Sequence, residues 1–250
     1  MDPALIAAIL DYVWRVTPGL LVIIVTYGVL PKQALLTRIF LLIFAFLLVR
    51  DAMTPVGFWQ LGVYNQVIWL RFADHALLLI ILGAISLLMT LLVMRFNPEL
   101  NRYLVWFGKN KIFSLFIGLA ASIVVVAPVY LMYLFIPLEE RGGPVTASLL
   151  IPLLFLALCG NWLEEVLFRG YLQGYLTQRT GAKKAVLLSG LLFAVGHVFL
   201  SATVTDLGLG IILFTLYEGL ICAGVRWKYG VAASTLTHGL SIFILASGLL

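Results

Sequence analysis

Long apolar runs follow one another along this chain, separated by short stretches that carry charge, proline or glycine. A helix of about 20 apolar residues crosses the hydrocarbon core of a bilayer, and about eight such spans leave room only for short loops. Hydrophobic residues make up 63% of the chain and charged residues 11%. Soluble domains are about 45–50% apolar and about 25% charged, so a soluble globular domain is excluded. The same values exclude a disordered chain. We predict an all-α, polytopic membrane helical bundle with about eight transmembrane helices.

The predicted spans are bounded by charge and by Pro/Gly clusters. They cover approximately 4–30, 35–57, 74–94, 112–136, 147–178, 183–201, 207–225 and 230–249. The segment 147–178 is too long for one perpendicular span, so it should tilt or emerge from the membrane. The aromatic stretch 58–73 is expected at the interface. The first segment lacks the basic start of a secretory signal and is expected to be a mature span. With no internal repeat, residues 1–250 are predicted to form a single integral membrane domain.

Basic residues are concentrated in alternate loops. Of the 16 Lys and Arg residues, 11 follow the first, third, fifth and seventh spans. The opposite face collects Arg50, Arg71, Arg141, Asp51, Asp74, Glu139, Glu140 and Asp206. Cytoplasmic loops are enriched in Lys and Arg, which predicts that both termini lie outside. The expected location is the cell membrane, as a bacterial inner membrane. The net charge of +5 is therefore assigned to cytoplasmic loops and not to a nucleic-acid partner. The oligomeric state stays open.

Ionisable residues inside the predicted spans are functional candidates, because a charge in the bilayer is costly. They are Asp11, Arg15, Glu164, Glu165, Arg169, His197, Glu218 and His238. Asp11 and Arg15 have the i,i+4 spacing of a helical ion pair. Glu165 and Arg169 have the same spacing. Adjacent helical residues point about 100° apart, so Glu164 is left free to face a cavity together with Asn161. Cys159 and Cys222 lack CxxC spacing and are expected as small buried residues.

Three of these residues fall at a similar depth on separate helices. Counted from the nearest cytoplasmic basic residue at 1.5 Å per residue, Glu164, His197 and His238 lie roughly 22, 20 and 15 Å deep. Phe193 lies one turn before His197 on the same side. A carboxylate and an imidazole that converge on one water can act as a general base. A second imidazole can donate to a developing oxyanion, so the pattern predicts a hydrolytic site for a carbonyl compound.

The order of these motifs resembles that of a protease family. Glu164 to Arg169 matches EExxxR, Phe193 to His197 matches FxxxH, and His238 matches the histidine of HxxxN or HxxxD. These are the motifs of the CPBP family, the CAAX proteases and bacteriocin-processing enzymes also called Abi, which includes the bacterial myxosortases. The resemblance covers residues 145–245 and implies that they form the catalytic core helices. It also implies a multi-pass intramembrane glutamic-type endopeptidase.

The resemblance implies a role for each matching residue. Glu164 would activate the water with His197, and His238 would help to form the oxyanion hole. The supporting residues would be Glu165, Arg169, Asn161 and Phe193. One position departs from the family pattern, because Ile242 stands where the family has Asn or Asp. The missing donor is expected from Asn161, with Thr237 and Ser241 as alternatives.

Several functional alternatives remain open. We expect a metal-free enzyme without a cofactor. In the alternative, Glu164, His197 and His238 bind zinc, because three N/O ligands plus water form a legitimate catalytic zinc set. The expected substrate is a protein or peptide cut near a membrane-anchored, C-terminal segment. In a different class, a transporter or bacteriocin-immunity protein would use intramembrane Glu and His residues, including Glu218, as a proton relay. The absence of an inverted repeat argues against transport.

Overall fold

A computed structural model of the chain describes residues 3–64, 67–199 and 208–250, which form a bundle of helices. The α-helices are α1 (Pro3–Val29), α2 (Leu35–Asp51), α3 (Ala76–Phe96), α4 (Pro98–Asn101), α5 (Lys111–Tyr133), α6 (Ala147–Glu165), α7 (Gln173–Thr180), α8 (Ala182–Val195), α9 (Leu209–Tyr229) and α10 (Val231–Ala246). A π-helical segment, Val166–Leu172, joins α6 to α7 without a break. A short 3-10 helix, Leu138–Arg141, precedes α6, and strands β1 (Trp59–Tyr64) and β2 (Val67–Phe72) follow α2.

Each predicted span contains a helix. The largest differences are at α2, which ends at Asp51 instead of residue 57, and at α8, which ends at Val195 instead of residue 201. The junction between the sixth and seventh predicted spans, with Asp206, lies outside the described residues. The all-α class is therefore confirmed.

In the part of the chain that the structure describes, five helices are long and apolar enough to cross a membrane. They are Leu5–Val29, Ala76–Phe96, Lys111–Tyr133, Ala147–Thr180 and Leu209–Tyr229. Helices α2, α8 and α10 have 17, 14 and 16 residues. These are shorter than the about 20 residues of a perpendicular span. The chain is a multi-pass membrane protein, and the count of about eight crossings stays a prediction.

A β-hairpin occupies most of the stretch predicted to be interfacial, and the sequence analysis did not predict it. β1 pairs with β2 in antiparallel register. Tyr133 of α5 donates its hydroxyl to the Ile68 carbonyl at 2.7 Å. The guanidinium of Arg71 donates to the Gly143 carbonyl at 2.9 Å. These bonds fix the hairpin to α5 and to the segment that precedes α6.

The basic loops that follow the first, third and seventh spans come together at one end of the bundle. Arg38 at the start of α2 pairs with Glu99 at 3.3 Å. The Val231 amide at the start of α10 donates to the Val105 carbonyl at 2.7 Å. The hairpin and the chain around Gly143 lie at the opposite end. This grouping fits the alternation on which the predicted topology rests, and the side that faces the cytoplasm stays a prediction.

Glycine allows close approach of the helices that carry the motif residues. A Cβ at Gly219 of α9 would lie 3.2 Å from the Gly190 carbonyl oxygen of α8 and 3.0 Å from the Phe193 ring. A Cβ at Gly118 of α5 would lie 2.6 Å from the Ala233 carbonyl oxygen of α10. Small residues at such crossings let membrane helices pack backbone to backbone. The helices therefore converge closely enough to bring their polar side chains together.

Candidate active site

A cavity of about 450 Å³ lies between α2, α3, α5, α6, α9 and α10 and beneath the hairpin. Most of its wall consists of apolar side chains. Its wall also carries the polar residues Arg50, Asn161, Glu164, His197, Glu218 and His238. The structure thus places the three predicted catalytic residues on one cavity, and their catalytic roles stay predictions.

Glu164 and His197 form one polar group of this wall. Glu164 lies in the last turn of α6, and His197 follows the end of α8. The Glu164 Oε1 atom is 3.7 Å from His197 Nε2. His197 Nδ1 is 2.8 Å from the Phe193 carbonyl oxygen, which can only accept, so Nδ1 carries a proton. In the neutral imidazole, Nε2 is then an acceptor that faces Glu164.

Arg50 of α2, which the charge pattern predicts only as a charge of the outer face, joins this group. Its Nη1 atom is 2.9 Å from His197 Nε2 and 3.4 Å from Glu164 Oε1. Its Nη2 atom donates to the Gly196 carbonyl at 3.2 Å and pairs with Asp51 at 2.8 Å. Arg50 is 12 residues after the basic residue Arg38, which is about 18 Å at 1.5 Å per residue. The depth count used for Glu164 could therefore have found it.

A second polar group surrounds Glu165. Arg169 Nη1 lies 3.2 Å from Glu165 Oε1, and both side chains are fully buried, which confirms the predicted ion pair. The i,i+4 spacing predicts only this partner for Glu165. In the structure His238 Nδ1 also lies 3.0 Å from Glu165 Oε1, and the Ser234 hydroxyl donates to Oε2. Glu165 therefore fixes the His238 ring, whose Nε2 atom lies 3.9 Å from Glu218 Oε2.

Phe193 connects the two polar groups. Its ring centroid lies 4.4 Å from that of His197 and 5.5 Å from that of His238. The guanidinium of Arg169 lies 3.9 Å from the Phe193 centroid. A buried cation over an aromatic face is stabilising. The predicted supporting role of Phe193 therefore has a physical basis, because one buried ring packs against both imidazoles.

The π-helical segment begins directly after Glu165. All of its residues, Val166–Leu172, are buried. π-Helical turns are rare and occur frequently at functional sites. In this one, Arg169 reaches Glu165 and also donates from Nη2 to the Gly219 carbonyl of α9 at 3.2 Å. The segment therefore ties the end of α6 to α9.

Three side chains were proposed to supply the hydrogen bond that a polar residue at position 242 would donate: Asn161, Thr237 and Ser241. One of the three, Asn161, lines the cavity. Asn161 lies on the wall with Ile242, and its Nδ2 atom donates one bond, to the Ala157 carbonyl at 2.7 Å. The second Nδ2 proton remains for a ligand. Thr237 donates to backbone carbonyls within 3.2 Å, and Ser241 donates to the Thr237 carbonyl at 2.6 Å. Asn161 is therefore the best placed of the three.

The predicted zinc ligands do not form a compact set. In the described part of the chain, one group has three possible ligand atoms within 4.8 Å of one another, namely Glu165, Cys222 and His238. The predicted set was Glu164, His197 and His238. The Arg50 guanidinium bonds two members of that set, so its charge would oppose a metal ion there. Glu165 is already neutralised by Arg169. The metal-free reaction and its zinc alternative both stay predictions.

The remaining intramembrane predictions concern structural residues. Arg15 Nε lies 2.8 Å from Asp11 Oδ2, which confirms their predicted i,i+4 pair on α1. Both side chains are about half exposed, at 48% and 45%. Cys159 and Cys222 are free and buried, as expected. These residues do not add chemistry to the cavity wall.

Comparison with known proteins gave one match. Residues 146–244 match the family model described as Type II CAAX prenyl endopeptidase Rce1-like. No curated protein and no solved structure matched the chain. The matched range begins one residue before α6 and ends in α10, so it contains Glu164, His197 and His238. The resemblance read from the motifs is confirmed, because residues 146–244 match an Rce1-like type II CAAX prenyl endopeptidase domain, consistent with the CAAX protease family.

Proposed function

We propose that this protein is an intramembrane glutamic-type endopeptidase in which Glu164 and His197 activate a water molecule. The observation that carries this proposal is the distance of 3.7 Å between Glu164 Oε1 and His197 Nε2 on the cavity wall. Both atoms can accept a hydrogen bond, and a water held by both presents its oxygen to a peptide carbonyl carbon. The pair takes the proton that this water loses as it attacks.

Arg50 must give way for the water to enter, because its Nη1 atom contacts both acceptors. Asp51 makes this movement possible. Arg50 already pairs with Asp51 at 2.8 Å, so the guanidinium keeps a counter-ion when it turns away from Glu164. We therefore propose that the contacts of Arg50 with Glu164 and His197 belong to the site before substrate binds.

His238 is proposed to stabilise the oxyanion that forms on the carbonyl oxygen. Its Nδ1 atom is held by Glu165, and Glu165 is held in turn by Arg169. This leaves Nε2 as the ring atom that can serve the cavity, and it donates a hydrogen bond because His238 acts as an imidazolium. A preorganised donor at a developing oxyanion is worth about 10²–10³ in rate. Glu165 and Arg169 act as positioning residues.

The proposed substrate is a membrane-anchored protein or peptide, cut near its lipid-anchored C-terminal segment. The apolar wall of the cavity fits an apolar chain, and its polar groups fit a peptide bond. The matching family is described as prenyl endopeptidases, which makes a prenylated peptide the first substrate to test. We further propose a metal-free reaction, a core at residues 145–245, and a bacterial inner membrane with both termini outside.

The test is cleavage of an internally quenched peptide by the purified full chain in liposomes. A C-terminally prenylated peptide is compared with the same sequence without the lipid. We expect cleavage of the prenylated peptide, its loss in Glu164→Gln and His197→Gln, and its retention in Glu140→Gln. Glu140 is an exposed carboxyl, so it provides a matched control. Cleavage by Glu164→Gln at the rate of the unmodified protein would contradict the mechanism.

Two further measurements separate the alternatives. Activity that persists in EDTA supports the metal-free reaction, whereas loss in EDTA and recovery with zinc supports the metal-dependent one. Proton flux across the liposome membrane without cleavage of either peptide would support a transporter and overturn the proposal.

A further inference from the structure

Glu218 of α9 is a buried carboxyl on the cavity wall that the proposed mechanism leaves unused. Its side chain is 3% exposed. Its Oε1 atom is buried without a hydrogen-bond partner in the described part of the chain. Its Oε2 atom lies 3.9 Å from His238 Nε2. A lone carboxyl with a free oxygen, on the same wall as Glu164, has the position of a group that acts on a ligand.

The charges of the site explain why this carboxyl can hold a proton. Four carboxyl groups and two guanidinium groups lie in and around the two polar groups: Asp51, Glu164, Glu165, Glu218, Arg50 and Arg169. The guanidinium groups contact the first three carboxyls. Among the described residues, the ion-pair partner of Glu218 within 4.0 Å is His238 and not an arginine or a lysine. His238 donates from both ring nitrogens when it serves the oxyanion, so it is then an imidazolium, and its Nδ1 atom lies 3.0 Å from Glu165. Together with Arg50 and Arg169 it supplies three cations for Asp51, Glu164 and Glu165. Glu218 is the fourth carboxyl and has no cation of its own, so burial favours its neutral, protonated form.

We propose that Glu218 is the general acid that protonates the leaving amine, an inference that rests on the proposed endopeptidase function. The carbonyl oxygen and the leaving nitrogen are neighbouring substituents of one tetrahedral carbon. The groups that serve them must therefore also be neighbours. His238 Nε2 and Glu218 Oε2, 3.9 Å apart, meet this requirement, with His238 serving the oxygen and Glu218 the nitrogen.

The proposed reaction conserves protons and electrons. The water oxygen bonds to the carbonyl carbon, and its proton moves to the Glu164–His197 pair. As the carbon–nitrogen bond breaks, its electron pair stays on nitrogen, which takes the proton from Glu218. Glu218 is left as a carboxylate and regains a proton from the Glu164–His197 pair through water when the products leave. The net reaction adds one water across the peptide bond.

A leaving-group comparison tests the assignment. The cleaved peptide is compared with a matched thiodepsipeptide, in which sulfur replaces the scissile nitrogen. An ordinary thiol has a pKa of about 8.5, so a thiolate leaves without an acid, whereas an amine does not. General acid catalysis contributes about 10²–10⁴ in rate. We expect Glu218→Gln to cleave the amide at least about 10²-fold more slowly and the thioester less than about tenfold more slowly.

The controls separate this proposal from the function on which it rests. Glu164→Gln should cleave neither substrate, because cleavage of both needs an activated water. Glu218→Asp should cleave the amide faster than Glu218→Gln, since it keeps a carboxyl. Equal losses of amide and thioester in Glu218→Gln, or no loss of the amide, would overturn the role of Glu218. If the unmodified protein cleaves neither substrate, the endopeptidase function itself fails.

Discussion

Removing the guanidinium of Arg169 should destabilise the bundle strongly. Arg169 Nη1 lies 3.2 Å from Glu165 Oε1, and its Nη2 atom donates to the Gly219 carbonyl at 3.2 Å. The substitution Arg169→Met keeps an unbranched apolar side chain but leaves Glu165 as a buried carboxylate without a guanidinium. Both side chains are fully buried, so solvent does not screen the lost attraction. Breaking a buried pair in this way costs about 3–5 kcal/mol.

That cost converts to a measurable change in the unfolding midpoint. In chains of about 150–250 residues, 1 kcal/mol shifts Tm by about 2–4 °C, which gives a decrease of roughly 6–20 °C. The double variant Glu165→Gln/Arg169→Met should recover part of this loss, because a glutamine at position 165 carries no charge and can still accept from His238. We expect a coupling energy between the two positions of at least about 1 kcal/mol.

Thermal unfolding of the full chain in detergent micelles, followed by tryptophan fluorescence, provides the measurement. Arg95→Met, which removes an exposed cation of α3, is the matched control and should leave Tm unchanged. Unfolding of Arg169→Met at the same temperature as the unmodified protein would show that the ion pair does not stabilise the bundle. A double variant whose decrease in Tm equals the sum of the decreases in the two single variants would show the same.

Two further predictions rest on the geometry of the site and of the helix crossings, and one rests on the distribution of basic residues. Asn161→Ala should slow cleavage by about 10²–10³, the typical effect of a lost oxyanion donor, and Ile242→Asn should partly restore the rate in a cleavage assay. Gly219→Ala should lower Tm, since its Cβ would lie 3.2 Å from a backbone oxygen of α8, whereas Gly224→Ala, with nothing within 4 Å, should not. A cysteine placed at Lys183 should react with a membrane-impermeant reagent only in inside-out vesicles, and labelling from outside intact cells would contradict the predicted topology.

The helices could be predicted because a helix that faces lipid must consist mainly of apolar residues. Each apolar run became a helix, since a backbone in hydrocarbon must satisfy its own hydrogen bonds. The hairpin has no comparable signature in its sequence. Its aromatic residues suit a membrane interface and a strand equally well, and the contact between Tyr133 and Ile68 that fixes it joins distant segments. Tertiary contacts therefore decide its conformation.

The site was predictable where depth alone determines proximity. Glu164, His197 and His238 were found by counting residues from basic loops, and they line one cavity. Depth does not give the rotation of a helix about its axis. The sequence therefore did not show that His238 bonds Glu165, or that Arg50 faces Glu164. These contacts depend on how separate helices pack.

The wall of the cavity includes residues outside 146–244, and the charge of Glu164 gives a physical reason for this. Among the described residues of 146–244, the ion-pair partner of Glu164 within 4.0 Å is the neutral acceptor atom of His197. The cation that compensates its charge, Arg50, comes from α2 and brings Asp51 as its own second partner. Charges inside a bilayer are tolerated when they pair with one another. The N-terminal helices therefore contribute a charged contact of Glu164 as well as part of the cavity wall, and residues 146–244 alone would leave Glu164 without this cation.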